Sequence, residues 1–360
     1  MLRSFTLKNF RCFQNLTLKP LERVNLIAGK NNVGKTSLLE AIFIFINPNN
    51  PQSFIQVDGV RGIAKGSRFE DIEEMRGFFF NQDANNAIEL KGLGENNVER
   101  TLKIHFAELE EAQRLRHSVF DDEIKLAIAN ESQSLEVRPN DTLVLEYQDE
   151  TGKKLSSHLS LTVNGALVGK YGGEKFPSSI YLTTGTRSPR EDTQRFSNLE
   201  RVGRQDEVLQ TLRLLEPRLQ RLTLLVMERE PIIYGDIGMR ELVPLPLMGE
   251  GIGRLFSIIL AIANAKGGTI LIDEIENGLH YSVLTDVWKA IADAARRADV
   301  QIFATTHSLE CIRAAHEAFE SSEKYDFRYH RLERVKDEIR AVTYDQENLA
   351  ISDEMNLEMR

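Results

Sequence analysis

Apolar and polar positions alternate from Leu2 to Asn9, break at Phe10-Arg11-Cys12-Phe13 and resume from Leu16 to Lys19. A continuous apolar run, Val24-Asn25-Leu26-Ile27-Ala28, follows. Period-two alternation predicts half-buried strands, and the unbroken run predicts a strand covered on both faces. A helix is expected from Lys35 to about Ile46, ended by Asn-Pro-Asn-Asn-Pro, where proline withholds the helical amide and asparagine favours turns. From Ala87 to Leu182, short runs such as AIEL, TLKIHF, DTLVLEY and HLSLTV come with turn signals, Asn164-Gly165 among them. These predict an antiparallel sheet, with one charged helical insert near 107 to 135. Leu199, Val202, Val208, Leu212, Leu215, Leu219 and Leu222 recur near helical spacing and predict a helical subdomain packed on the body. After Pro244 and Pro246 the pattern reads helix (250–265), strand (Thr269–Ile272), helix (281–297), strand (Val300–Thr305), helix (308–320). Such alternation predicts a parallel sheet with crossover helices, hence an α/β fold. Two more strand-like runs, Phe327 to Arg334 and Glu338 to Tyr344, precede an acidic tail. No internal repeat occurs, and no heptad stretch is long enough for an extended coiled coil.

Composition narrows the class. With 360 residues, 41% hydrophobic and 28% charged, the chain can bury a sizeable core, which excludes disorder and fibrous folds. Cys12 and Cys311 stand far apart and outside any metal-ligand spacing, so neither a disulfide framework nor a zinc site is expected. The longest apolar runs, LLEAIFIFI and LFSIILAIA, fall short of the ~20 residues a membrane span needs. A cytoplasmic protein with no membrane partner is therefore expected. The formal net charge of −9 argues against indiscriminate adhesion to nucleic acid. Residues 1–40 nevertheless carry seven basic side chains against two acidic ones, a surplus suited to phosphate groups. Between Arg187 and Arg240 lie ten arginines, no lysine and nine acidic residues. That stretch reads as a solvated face with internal ion pairs, with a DNA groove as the alternative.

Gly29-Lys30-Asn31-Asn32-Val33-Gly34-Lys35-Thr36 matches G-x-x-x-x-G-K-[ST], directly after the buried strand and at the mouth of a helix. The glycines let the backbone aim its N–H groups at phosphate oxygens, and the helix start adds free amides and partial positive charge. Lys35 would neutralise the β and γ phosphates, and Thr36 would ligate magnesium. A second anchor for that ion is expected at a neighbouring strand end, where Asp273 follows Thr269-Ile270-Leu271-Ile272. Glu274 would then orient or deprotonate the attacking water, although two adjacent carboxylates could instead cap the next helix. The apolar strand Val300 to Thr305 ends in Thr306-His307-Ser308; His307 can sense a γ-phosphate, and Thr305 and Thr306 read as turn residues. Gly249-Glu250-Gly251-Ile252-Gly253-Arg254 opens an apolar helix about twenty residues ahead of the acidic strand, a second glycine-rich helix start.

In this order, the four motifs resemble those of ABC-type ATPases of the RecF, SMC and OLD group. The opening LKNFRCFQNLTL and GKNNVGKTSLLEAI resemble the first lobe of that group, and residues 243–312 the second. The resemblance implies a P-loop NTPase of ABC-type head architecture, with an antiparallel β-subdomain and a helical subdomain. Lobe I would span residues 1–190, the helical subdomain 191–230 and lobe II 231–360. It implies that Gly29 through Ser37 is Walker A and that Gly249 to Arg254 stands at the signature motif, with Gly249 and Gly251 binding the nucleotide. Asp273-Glu274 is then Walker B, Asn277 to His280 the D-loop and His307 the switch histidine. Arg11 matches the arginine after the first strand, which reaches the nucleotide in such proteins. ATP and Mg2+ are the implied cofactors, and a homodimer or higher even oligomer, head-to-tail, is the implied assembly. The motif departs from the group at Gly249, where serine is usual, and at Ile275, where proline is common. For the lobe-linking glutamine, Gln82 is the candidate, with Arg187 as another polar group near a strand end. No coiled coil interrupts the lobes, as it does in SMC-like proteins. The 53 residues after His307 are too few for the Toprim nuclease domain of OLD proteins. The chain thus looks like a short OLD-like AAA ATPase, a group that often works beside a separate effector, including in phage defence. DNA or RNA is a possible further partner, and a RecF-like DNA-binding clamp is the alternative reading.

Overall fold

The computed structural model describes residues 1–60, 72–108, 142–162, 165–170, 176–184, 189–227 and 230–354. Most of the expected helical insert, together with Asn164 and Arg187, lies outside these residues.

Three sheets organise the described residues. The central one has six strands in the order β16 (Glu338–Tyr344), β15 (Phe327–Val335), β3 (Val24–Gly29), β14 (Gln301–Thr305), β13 (Thr269–Ile272) and β9 (Ser179–Leu182). All neighbours pair in parallel except β16, which closes a hairpin with β15. The second sheet is antiparallel, in the order β2 (Phe13–Leu18), β1 (Leu2–Phe10), β4 (Ile88–Gly94), β5 (Glu99–Phe106), β6 (Thr142–Gln148), β7 (Lys154–Thr162) and β8 (Gly165–Lys170). A small antiparallel sheet joins β10 (Arg221–Met227), β11 (Glu230–Asp236) and β12 (Val243–Pro244).

The helices are α1 (Lys35–Ile46), α2 (Gln52–Val60), α3 (Ile72–Arg76), α4 (Pro189–Arg201), α5 (Gln205–Leu212), α6 (Glu250–Asn264), α7 (Leu284–Ala298), α8 (Leu309–Glu320) and α9 (Gln346–Glu354). Because side chains of a strand alternate between faces, the central sheet divides two cores. Leu26, Ala28, Ile270, Ile272, Ile302 and Ala304 pack into one with the apolar positions of α6, α7 and α8. Ile27, Leu271 and Phe303 pack into the other, with α1 and the inward face of β1, β2 and β4. The strands that carry the three motifs are therefore held from both sides, and their carboxyl ends all open on one edge.

Two expectations change. The helical spacing across 192–227 ends at Leu212, and Leu222 belongs to the strand β10. Gly203 at φ 70 separates α4 from α5, and the Leu-Thr-Leu-Leu-Val run prefers the strand because its residues alternate against β11. The short run at Ser179–Leu182 does not continue the antiparallel sheet but adds a parallel edge strand to β13.

Candidate active site

The loop after β3 needs glycine at both ends. Gly29 has φ 145, and a Cβ there would sit 2.5 Å from the Leu332 carbonyl oxygen of β15. At Gly34, φ is 90 and a Cβ would meet Cys12 Sγ at 2.5 Å and Phe13 Cζ at 2.6 Å. Asn32 between them takes the left-handed conformation, φ 61, that asparagine tolerates better than other side chains. Gly34 is the N-cap of α1 and supplies no side-chain cap, so the first-turn amides keep their capacity for an external acceptor. By contrast, α8 is capped by its own Ser308 hydroxyl, which accepts from the Cys311 amide at 3.1 Å.

Lys35 folds back over this loop, its Nζ donating to the carbonyls of Gly29 at 2.7 Å and Lys30 at 3.2 Å. Burial lowers its pKa, opposed by the negative charges of Glu274, Asp273 and Glu276. Those carboxylates come from the far end of the chain. The Thr36 hydroxyl donates to Asp273 Oδ2 at 3.0 Å, joining the ends of two non-adjacent segments of the sequence. Ser37 and Val33 are buried beneath the loop, while Lys30, Asn31 and Asn32 are exposed on its outer side.

Around Asp273 the strand ends lock together. Thr305, on the intervening strand β14, donates its hydroxyl to Asp273 Oδ1 at 2.5 Å and accepts the Glu274 amide at 2.8 Å. Glu274 itself sits at φ 47, a left-handed conformation uncommon for a residue with a side chain and one that functional sites collect. Its carboxylate accepts from Asn277 Nδ2 at 2.8 Å. His307 Nδ1 stands 3.9 Å from Glu274 Oε1 and 3.2 Å from Glu276 Oε1, and the His307 amide donates to the same Glu276 oxygen at 3.0 Å.

At the second glycine-rich start, Gly249 is the N-cap of α6 at φ 111, again without a side-chain cap. A Cβ on Gly251 would lie 2.5 Å from the Gly278 carbonyl oxygen, so this helix start packs directly on the loop that contains Asn277. Gly249 is exposed, and Leu247 and Tyr281 beside these two segments are exposed apolar residues.

The geometry thus brings Lys35, Thr36, Asp273, Glu274, Asn277 and His307 to one edge. Arg11 Nε donates to Glu40 of α1 at 3.0 Å, and its guanidinium lies 4.1 Å from the Phe78 ring centre. His280 bonds to Ser282 at 2.8 Å and its ring lies tilted against Tyr281, with centroids 4.3 Å apart. Gln82 is exposed at φ 59, lining a cavity with Arg76 and Phe106. The sequence reads Thr305 as a turn residue and Arg254 as the end of a glycine-rich helix start, and it does not single out Glu276; the contacts that tie them to this edge come from other segments.

Thr36 and Asp273 offer one hydroxyl and one carboxylate oxygen, hard donors of the kind a magnesium ion takes alongside phosphate oxygens and water. No cluster of three or more His, Cys, Asp or Glu side chains suited to a metal occurs among the described residues.

Among known proteins, residues 24–313 match the family described as "AAA domain, putative AbiEii toxin, Type IV TA system". The chain is 22% identical over 329 residues to an ATP/GTP phosphatase of Helicobacter pylori, covering 87% of this chain and 86% of that protein. A 42-residue stretch, 12% of each chain, is 55% identical to the DNA replication and repair protein RecF of Pseudoalteromonas translucida. In fold the chain is similar to an Smc head bound to the C-winged helix domain of ScpA, with a TM-score of 0.50 over 99% of both chains at 10% identity.

Proposed function

This chain belongs to the AAA-domain family and is an ATPase of the ABC/SMC-like kind; from that premise we propose that it is a Mg2+-dependent ATP switch that pairs head-to-tail with a second copy and controls a separate effector. The observation that carries the reading is the 3.0 Å contact between Thr36 and Asp273 at one edge of the central sheet. A triphosphate seated on the amides of Gly34 to Thr36 would place its terminal phosphate between Lys35 and Glu274. A bound Mg2+, held by Thr36 and Asp273, supplies charge neutralisation for the phosphates. Lys35 would exchange its loop carbonyls for phosphate oxygens, an exchange its partial burial favours. Glu274, oriented by Asn277, would take the proton of the attacking water, and His307, steadied by Glu276, would contact the γ-phosphate.

Dimerisation is supported by what one chain leaves open. Gly249 presents a helix start without a side-chain cap at the surface, flanked by exposed Leu247 and Tyr281. Such a start would donate to the γ-phosphate of a second copy, so that ATP joins the pair and hydrolysis releases it. Control of a separate effector in genome maintenance or phage defence is the reading that agrees with the family description.

The test is Glu274→Gln. Loss of the base should lower phosphate release about 100-fold or more while ATP remains bound. Light scattering should then show a stable dimer with ATP and Mg2+ and a monomer without them. A monomer under both conditions refutes the switch. Salt-sensitive, ATP-dependent retention of duplex DNA by the isolated protein would favour a RecF-like clamp instead. Internal pairing speaks against that outcome: Arg195, Arg204, Arg218 and Arg221 bond to Glu191, Glu207, Glu216 and Asp236.

A further inference from the structure

Helix α6 carries only two charged side chains, Glu250 at its first position and Arg254 one turn later. Arg254 is 6% exposed, in a helix whose next eight residues are all buried. A buried guanidinium requires acceptors, and it finds them at three backbone carbonyls. Nη1 donates to Thr183 at 3.0 Å, just past β9. Nη2 donates to Asp273 at 2.5 Å and to Glu274 at 3.2 Å. Both Walker B residues are therefore tied, through their main chain, to the helix that begins at Gly249.

The placement matters because Glu274 lies in a conformation the backbone does not favour. Its amide is fixed by Thr305 and its carbonyl by Arg254, so the direction of its carboxylate depends on both clamps. Thr305 belongs to the same sheet and cannot move independently. Arg254 belongs to α6, whose start also packs on the Asn277 loop through the Gly251–Gly278 contact. A small displacement of α6 along its axis reaches the Glu274 backbone through one rigid, planar group.

We propose that Arg254 is a positioning residue for hydrolysis, which fixes Glu274 to the helix whose glycine-rich start faces a second copy, so that seating of that start on the partner's nucleotide sets Glu274 in the same protomer's own site. The first half concerns one chain; the second rests on the head-to-tail reading given above. Hydrolysis at the two sites of a dimer is then coupled through each protomer's own Arg254.

The experiment uses the full chain with Arg254→Lys and Arg254→Ala. Lysine cannot reproduce the flat fork that reaches three carbonyls. Loosening the base by about an ångström should lower kcat on the order of 100-fold. Affinity for a fluorescent ATP analogue should stay within about threefold of the wild type, since Walker A is untouched. Guanidinium chloride at tens of millimolar should restore part of the kcat of Arg254→Ala, whereas urea at the same concentration should not. The Hill coefficient of hydrolysis should fall from near two towards one in Arg254→Lys. An unchanged kcat, a kcat and ATP affinity that fall in step, or no guanidinium rescue would overturn the positioning role. A Hill coefficient that stays near two in Arg254→Lys would overturn the coupling between sites. Glu274→Gln remaining monomeric with ATP would remove the head-to-tail reading and leave the single-chain result to be judged by kcat and rescue.

Discussion

At the scale of residues, the site depends on one hydroxyl more than the motifs suggest. Thr305 is fully buried and serves Asp273 Oδ1 and the Glu274 amide at once. Thr305→Val keeps the volume but leaves both partners unsatisfied, at about 1–3 kcal/mol for each buried group. The expected result is a melting temperature lower by roughly 4–8 °C and a phosphate-release rate at least about tenfold lower, because Glu274 loses a clamp. Thr305→Ser should recover most of both, and a Thr305→Val protein with wild-type turnover would show that the hydroxyl only fills space. The contrast with Lys35, Thr36, Asp273 and Glu274 explains what could be read in advance. Phosphate and metal chemistry demands those residue types at a fixed spacing, so each is legible in a linear string. Thr305, Glu276 and Arg254 owe their roles to what another segment brings within 3.2 Å of them, and no local pattern announces that.

Elements were legible where burial imposes a single period. The central strands are apolar on both faces because two cores clasp them, so their continuous runs announced a parallel sheet. Residues 213–227 misled because leucines at helical spacing also satisfy a strand once β11 lies alongside, a choice made by tertiary pairing. In the proposed head-to-tail pair, the glycine-rich start of α6 is the element on which association should turn. Gly251→Ala places a methyl against the Gly278 carbonyl oxygen at 2.5 Å, backbone against side chain, so α6 and the Asn277 loop must separate. Alanine raises helix propensity by about 1 kcal/mol, so thermal stability alone will not expose the damage. Association will: in a Glu274→Gln background, Gly251→Ala should weaken ATP-driven dimerisation at least about tenfold by light scattering. Binding of ATP by the monomer should persist, because α1 and its loop lie elsewhere. Undiminished association would mean that the two segments do not act as one surface.

For the whole molecule, acid is the informative stress, because a titrating group sits beneath the nucleotide loop. His330 on β15 is fully buried, pairs in register with Ile27 of β3, and lies with Nδ1 3.0 Å from Thr343 Oγ1. Its Nε2 has no hydrogen-bond partner, so protonation would bury an unpaired charge, and burial with the nearby Arg328 pushes its pKa from 6.5 down to about 3. The folded state therefore holds this imidazole neutral while the unfolded chain binds a proton below pH 6.5. Stability supplied by the neutral ring is complete above pH 6.5 and is lost as pH falls towards 3, at up to about 1.4 kcal/mol per pH unit for the one proton. His158, also lowered by burial, adds in the same direction. Denaturant unfolding of His330→Gln across pH 4–7 should show a shallower acid limb by about one proton, even if the variant is less stable at pH 7. An unchanged slope would place the acid sensitivity in other groups. Leu332, two residues along the same strand, lies against Gly29, so the acid-sensitive strand also forms the floor of the nucleotide loop. Saturating ATP should then raise stability through binding to the folded state alone, and the difference in acid slope between wild type and His330→Gln should persist in its presence.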